Sequence, residues 1–279
     1  MNKDCHCCGS DYQLVMIDVY KCVQCAHIYR DYQEDLIKYH QTQYRKGGSA
    51  TRKENEIGPD GNITQEFHNQ RKWIVEGRLK MIEKYLKPNF FCLDIGAGAG
   101  TFASEIGDKV NKVDCTELDA GLIAESRRLG FQTYSENYLT LDFDKQYDFI
   151  SAWHVLEHME DIRTFVEKTF NDTKRLLCIE VPLLISLKGT GRRRSLTSPN
   201  TPKYDGHVHY FTSESFRNLF ESHFEILDMK EKMYKKIAQA LNLLDSSGVE
   251  IVMQTMPPFP WHFGGQSHHN LFVNHDEIE

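Results

Sequence analysis

Five of the chain's eight cysteines fall at its start, in Cys5-His6-Cys7-Cys8 and Cys22-Val23-Gln24-Cys25. Two thiolates three positions apart can grip one metal ion from a tight turn. Two such turns facing each other give the tetrahedral sulfur cage that zinc prefers. Cys5, Cys8, Cys22 and Cys25 form the set that gives both turns the same spacing, with 13 residues between them. Cys7 is left over, His6 and His27 are lesser substitutes, and a redox role for the thiols is the alternative. A closed four-sulfur site has no open coordination position, so its role would be structural. A segment of ~30 residues needs such a staple to fold. Leu14-Val15-Met16-Ile17 and Val19-Tyr20 can supply the hairpin of a zinc ribbon.

A second constellation is Phe91-Cys92-Leu93-Asp94-Ile95-Gly96-Ala97-Gly98-Ala99-Gly100. A strand running into G-x-G-x-G lets the backbone turn sharply and lets a ligand approach where a β-carbon would collide. A helix that follows such a turn points its amide-rich end at the ligand. Glu117 comes 23 residues after Asp94, at the end of the next strand-like run. A carboxylate there can accept the ribose hydroxyls of an adenosine group; the plainer reading is a surface residue at a strand end.

Histidines make the third group. His154-Val155-Leu156-Glu157-His158 fits the H-x-x-E-H of inverted zinc peptidases, which requires helix through His154. The preceding Phe149-Ile150-Ser151-Ala152-Trp153 reads instead as a strand, and the peptidase reading would leave the glycine loop and Glu117 without a purpose. Gly206-His207-Val208-His209-Tyr210-Phe211-Thr212 adds two more imidazoles. Histidine suits proton transfer near neutral pH, so His154, His207 and His209 are candidate bases, with Tyr210 as polar support. Against this, Glu157 and His158 can simply stabilise their turn, and His207 and His209 can fix their loop.

The elements that must hold these residues alternate. Val75, Leu79, Ile82 and Leu86 lie on one face of a helix that Pro88 ends. Strands are expected at Phe90–Ile95, Lys112–Glu117, Gln132–Tyr134, Tyr147–Trp153 and Arg175–Val181, and late ones at Phe224–Met229 and Val249–Gln254. Helices are expected at Gly98–Ile106, at Ala120–Leu129 with Asp119 as N-cap, through Ile162, Phe165, Val166 and Phe170, and after Thr212. Such alternation predicts a doubly wound α/β domain with a parallel sheet. Cys92, Cys115 and Cys178 sit in its apolar strand runs, as buried thiols of reduced proteins do. Three regions follow: a ribbon at 1–30, a connector or lid at 31–61, and the main domain at 62–279. The tail from Pro257, with His262, His268 and His269, reads as a surface-lying end.

With 40% hydrophobic and 26% charged residues among 279, the composition is that of a soluble globular protein. No run approaches the ~20 apolar residues of a membrane span, and no secretory signal is visible, so a cytoplasmic location is expected. A net charge of −7 argues against a nucleic-acid partner, despite the local run Arg192-Arg193-Arg194.

The run L-D-I-G-A-G-A-G resembles motif I of the class I, Rossmann-like S-adenosylmethionine-dependent methyltransferases. Tyr147-Asp148-Phe149 through His154-Val155-Leu156-Glu157-His158 looks like that family's fourth strand and turn. The segment His207–Thr212 resembles a signature of a branch that also carries an N-terminal zinc ribbon. The resemblance implies a mainly parallel seven-stranded sheet with helices on both faces. It also implies that Asp94, Gly96, Gly98 and Gly100 hold the methionine part of S-adenosylmethionine, Glu117 its ribose and Asn137 its adenine, with His154 beside the sulfonium. Asn137 departs from the family's usual aspartate. His154 and His207 are then the candidate catalytic residues. The acceptor implied is a small molecule, first a nucleotide-linked sugar or a glycan or natural-product precursor. An RNA methyltransferase guided by the ribbon, or a non-catalytic S-adenosylmethionine-binding protein, are the alternatives.

Overall fold

The computed structural model describes residues 4–16, 18–31, 36–42, 63–183, 207–233 and 247–255. Of the connector, only a short helix, α1 (Leu36–Thr42), is among them. Residues 32–35 and 43–61 of the expected lid, the loop with Arg192–Arg194 and the histidine-bearing tail lie outside the described residues.

Five parallel strands form the centre of the main sheet: β4 (Phe91–Ile95), β5 (Lys112–Thr116), β6 (Gln132–Tyr134), β7 (Tyr147–Trp153) and β8 (Thr173–Pro182). Antiparallel β10 (Phe224–Met233) and β11 (Ser247–Thr255) extend it, giving the order β10-β11-β8-β7-β4-β5-β6. The chain therefore leaves β4 toward β5 and β6, then returns to lay β7 on β4's other side. In an open α/β sheet the crevice at that reversal, at the carboxyl ends of the strands, is where ligands bind.

Period-two alternation decides what each sheet face buries. Leu93, Ile95, Ile150, Ala152, Leu177 and Ile179 pack on α5 (Ile162–Asp172) and α6 (Ser213–Phe220), through Phe165, Val166, Phe216 and Phe220. Cys92, Cys115, Phe149 and Cys178 point the other way. They meet Val75, Met81 and Ile82 of α2 (Gln65–Ile82) and Phe102, Ala103 and Ile106 of α3 (Thr101–Gly107). The three strand cysteines are thus core thiols, and burial pushes Cys92 and Cys115 above the usual thiol range.

Helix ends are set by side chains read correctly from sequence. Asp119 caps α4 (Ala120–Arg128) by accepting from the amides of Gly121 and Leu122. Thr212 and Ser215 form a reciprocal capping box on α6. One expected start is wrong. The helix placed at Gly98–Ile106 begins at Thr101, because Gly98 and Gly100 take left-handed backbone angles (φ 59° and 78°) that no helix admits.

The ribbon consists of β1 (Tyr12–Met16), β2 (Val19–Cys22) and β3 (Ile28–Arg30), joined antiparallel. A fourth strand, β9 (His209–Tyr210), comes from the other end of the chain and pairs with β3. Arg163 of α5 donates to the carbonyls of Cys5 and His6, and the Thr212 hydroxyl donates to that of Cys25. The ribbon is therefore packed onto α5 and α6. No helix among the described residues is long and apolar enough to cross a membrane.

Candidate active site

The glycine loop sits at the crevice between β4 and β7. Its backbone is anchored by the Gly96 amide on the Thr116 hydroxyl at 3.2 Å and by the Ala97 amide on the Thr116 carbonyl at 2.9 Å. Gly96 has φ 64°, and a β-carbon there would stand 2.5 Å from Cγ2 of Val155, in the turn after β7. At Gly98 the same atom would meet nothing within 4 Å, so that part of the loop borders open space. Gly96→Ala should therefore force Val155 aside and add left-handed strain of about 1 kcal/mol. We expect a melting temperature lower by several degrees and ligand binding weakened at least about tenfold, with Val155→Ala in the same chain recovering part of both.

Asp94 is fully buried at the end of β4. Its Oδ1 accepts from the Ser151 hydroxyl at 2.7 Å, while Oδ2 has no hydrogen-bond partner. Burial pushes its pKa up to about 7, against the pull of Ser151 and Arg78. Glu117 is half-buried just past β5. Its Oε1 accepts from the amides of Leu118 and Asp119, and its Oε2 from that of Gly98 at 2.9 Å. Three of the roughly four lone-pair directions of a carboxylate are thus used, and one is left. Burial raises its pKa as well. Asn137 uses its amide oxygen to cap the turn Tyr138–Thr140 through the Leu139 amide.

His154 is placed differently from what the inverted-peptidase pattern needs. β7 ends at Trp153, His154 is left-handed (φ 58°), and only Leu156–His158 turn as a short 3-10 segment. Its Nδ1 lies 3.2 Å from Glu157 Oε1 and its Nε2 2.7 Å from Glu180 Oε1. Desolvation opposes its charge, but the two carboxylates outweigh it and raise its pKa to about 9. Glu157, although desolvated, is held down to about 2 by His154, His158 and His207. Glu180 also receives a two-pronged contact from Arg78 of α2, whose guanidinium lies over Trp153.

Arg78 and Glu180 were not legible as site residues. The only signal was a carboxylate inside an apolar strand run, which demands a partner once buried. A second contribution of α2 was equally hidden: His68 bridges the Thr101 hydroxyl, just past the glycine loop, to Glu125 of α4.

His207 stacks edge-on against His158 with ring centroids 4.6 Å apart, and the neighbouring Val208 amide donates to the Glu157 carbonyl. Donor atoms of Glu157, His158 and His207 lie within 4.8 Å of one another. His209 is elsewhere. It is buried on the ribbon side, stacked on His27, and burial keeps both rings' pKa values low. In the ribbon itself, the sulfurs of Cys5, Cys8, Cys22 and Cys25 fall within 4.8 Å of one another. Cys5 and Cys25 are 3.6 Å apart and Cys8 and Cys22 3.5 Å apart. Backbone amides of Cys7, Gln24 and Cys25 point at the Cys5 and Cys22 sulfurs. Contact with Cys25 pulls Cys5 below the usual thiol value, whereas burial pushes Cys7 above it.

A family model describing a methyltransferase domain matches residues 67–224, more than half of the chain. The chain belongs to this methyltransferase family. Among solved structures, the methyltransferase-family fold is shared with YcgJ from Bacillus subtilis (13% identity, TM-score 0.52, covering 67% of this chain and 100% of that one). It is also shared with a SAM-dependent methyltransferase from Methanosarcina mazei (19% identity, TM-score 0.51, 63% and 97% covered). The magnesium protoporphyrin IX methyltransferase of Synechocystis PCC 6803, solved with bound SAH, is similar at 13% identity and TM-score 0.55, with 79% and 98% covered. At these identities the likeness is one of fold. No curated protein matches the sequence.

Proposed function

We propose that this methyltransferase-family protein uses S-adenosylmethionine and methylates a small-molecule acceptor, foremost a nucleotide-linked sugar or another glycan or natural-product precursor. The observation that carries the reading is the glycine loop at the sheet's reversal point, flanked by two acids whose charge is incompletely matched by the protein. Asp94, with its unpartnered Oδ2, suits the ammonium of the methionine part, and Gly96, Gly98 and Gly100 give that part room. Glu117 would receive the ribose through its remaining lone pair and by trading its bond to Gly98. Asn137 would line the adenine, and His154 would stand beside the sulfonium.

When bound, the cofactor supplies an electrophilic methyl group. The chain's own residues then chiefly orient the acceptor and exclude water. His154 is clamped by Glu157 and Glu180, which hold it protonated and offset its charge, and it serves as a positioning group that fixes the turn facing the glycine loop. Of the two candidate histidines, His207 would then handle the acceptor. We further assign one structural zinc ion to Cys5, Cys8, Cys22 and Cys25, whose soft thiolates and close, amide-supported spacing suit it.

Asp94 gives the reading a pH signature. Its folded pKa of about 7 lies above the ordinary carboxylate value, so the acid is neutral below pH 7 and ionised above it. An ammonium ligand prefers the ionised form. Calorimetry with S-adenosylhomocysteine should therefore show affinity rising several-fold between pH 6 and 8, and an Asp94→Asn variant should lose that slope. By linkage, the same raised pKa lends the unliganded protein stability that is fully present below about pH 4. That stability is lost as pH rises through about 7. The acceptor itself is to be sought by metabolite profiling of an overproducer fed methyl-labelled methionine. No new labelled small molecule in that experiment would remove the acceptor class proposed.

A further inference from the structure

We propose that Glu157, His158 and His207 form a second metal site, separate from the four-cysteine cage, which takes a divalent ion of the Mn2+ or Fe2+ kind and presents it to two neighbouring oxygens of the methyl acceptor. The ion is argued from the cluster alone; the acceptor's part rests on the methyl-transfer reading above.

Three donor atoms from these residues lie within 4.8 Å of one another, close enough to share one ion. Glu157 is fully buried; its Oε1 lies 3.2 Å from His154 Nδ1 and 3.9 Å from His158 Nε2, and its Oε2 has no hydrogen-bond partner. A buried carboxylate oxygen left in that state needs a reason. A cation bound to that carboxylate supplies one. Backbone geometry builds the cluster from two distant segments. The 3-10 turn after β7 presents Glu157 and His158, and the bond from the Val208 amide to the Glu157 carbonyl (2.9 Å) brings His207 alongside. His154, Arg78 and Glu180 lock the same turn from behind.

The donor set selects the ion class. One carboxylate and two imidazoles suit first-row divalent metals rather than Ca2+ or Mg2+, which prefer all-oxygen sites. Unlike the cysteine cage, a three-residue set leaves coordination positions open to a ligand with two adjacent oxygens, such as a sugar diol. The location is right for transfer, because Val155, between His154 and Leu156, abuts Gly96 of the cofactor loop. There the ion lowers the pKa of an acceptor hydroxyl. The hydroxyl proton leaves to solvent and the oxygen forms its bond to the methyl carbon. The carbon–sulfur bond breaks with its electrons going to sulfur, turning the sulfonium into a neutral thioether.

The test uses full-length protein with its cysteine site loaded with zinc, titrated with MnCl2 and followed by electron paramagnetic resonance of free Mn2+. One Mn2+ per chain is expected. His158→Gln and His207→Ala should each weaken it at least tenfold while S-adenosylhomocysteine binding, measured by calorimetry, stays within twofold. These two half-buried histidines are changed because Glu157→Gln could also loosen the turn. No Mn2+ uptake by the parent, or uptake unchanged in both variants, overturns the site even if the nucleoside binds normally. Failure to bind S-adenosylhomocysteine with Mn2+ bound would instead overturn the methyl-transfer reading and leave the ion site standing.

Discussion

Glu117→Ala is expected to weaken S-adenosylhomocysteine binding on the order of 100-fold, close to 3 kcal/mol, because hydrogen bonds to a charged acceptor are worth about 1.5–3 kcal/mol each. Two effects add. The ribose hydroxyls lose their acceptor, and the amides of Gly98, Leu118 and Asp119 lose the carboxylate that now gathers them. Glu117→Gln separates the two, since its amide oxygen can still accept from part of the loop but carries no charge; its affinity should fall between those of parent and alanine variant. Calorimetry on the folded, zinc-loaded protein reads all three. A Glu117→Ala protein binding as tightly as the parent would remove the nucleoside site as drawn.

Removal of the zinc ion proposed for the four cysteines should produce the largest structural effect. Structural zinc in small ribbons contributes roughly 10–16 kcal/mol of binding free energy that doubles as folding free energy. The ribbon's cysteines pack in the same core as Phe216, Leu219 and Phe220, so losing the cage uncovers that face of the main domain. Treatment with a strong chelator, or Cys22→Ala, is expected to lower the melting temperature on the order of 10 °C and to open the chain to protease near β9. Elemental analysis decides the ligand set. Cys22→Ala should carry one zinc ion fewer than the parent, whereas Cys7→Ala should carry as many as the parent. Cys7 also belongs to a competing trio with Cys5 and His27, so loss of zinc from Cys7→Ala would transfer the assignment there.

Much of the molecule could be read from local pattern. The strand Tyr147–Trp153, the N-caps Asp119 and Thr212, and the hairpin within the ribbon all follow from signals contained in a few consecutive residues. The knuckle cysteines converge as their spacing requires. What stayed hidden depends on contacts between distant segments. Arg78 and Glu180 are 102 positions apart, and each taken alone is an ordinary helix or strand residue. His154 looked like a base from its motif, and only the fold reveals that two carboxylates hold both of its ring nitrogens. The late start of α3 was a local error of a different kind: glycines were counted into the helix although their use in the loop demanded left-handed angles. His209 was grouped with His207 because they are two apart. His207 lies just before β9 and joins the Glu157 turn, whereas His209, within β9, joins the ribbon.

The pairing of β3 with β9 also orders events during synthesis. Domains emerge from the ribosome amino end first, so the four cysteines can converge long before the rest of the protein exists. His27 nevertheless meets His209, its stacking neighbour, 182 positions later. Through that interval Ile28–Arg30 presents an uncovered β-edge, the kind of edge that recruits stray strands from other chains. Slowing the arrival of the segment that carries β9, by rare codons placed after residue 183, should therefore raise the aggregated fraction of newly made chains, and a Tyr29→Lys change on that edge should reduce it.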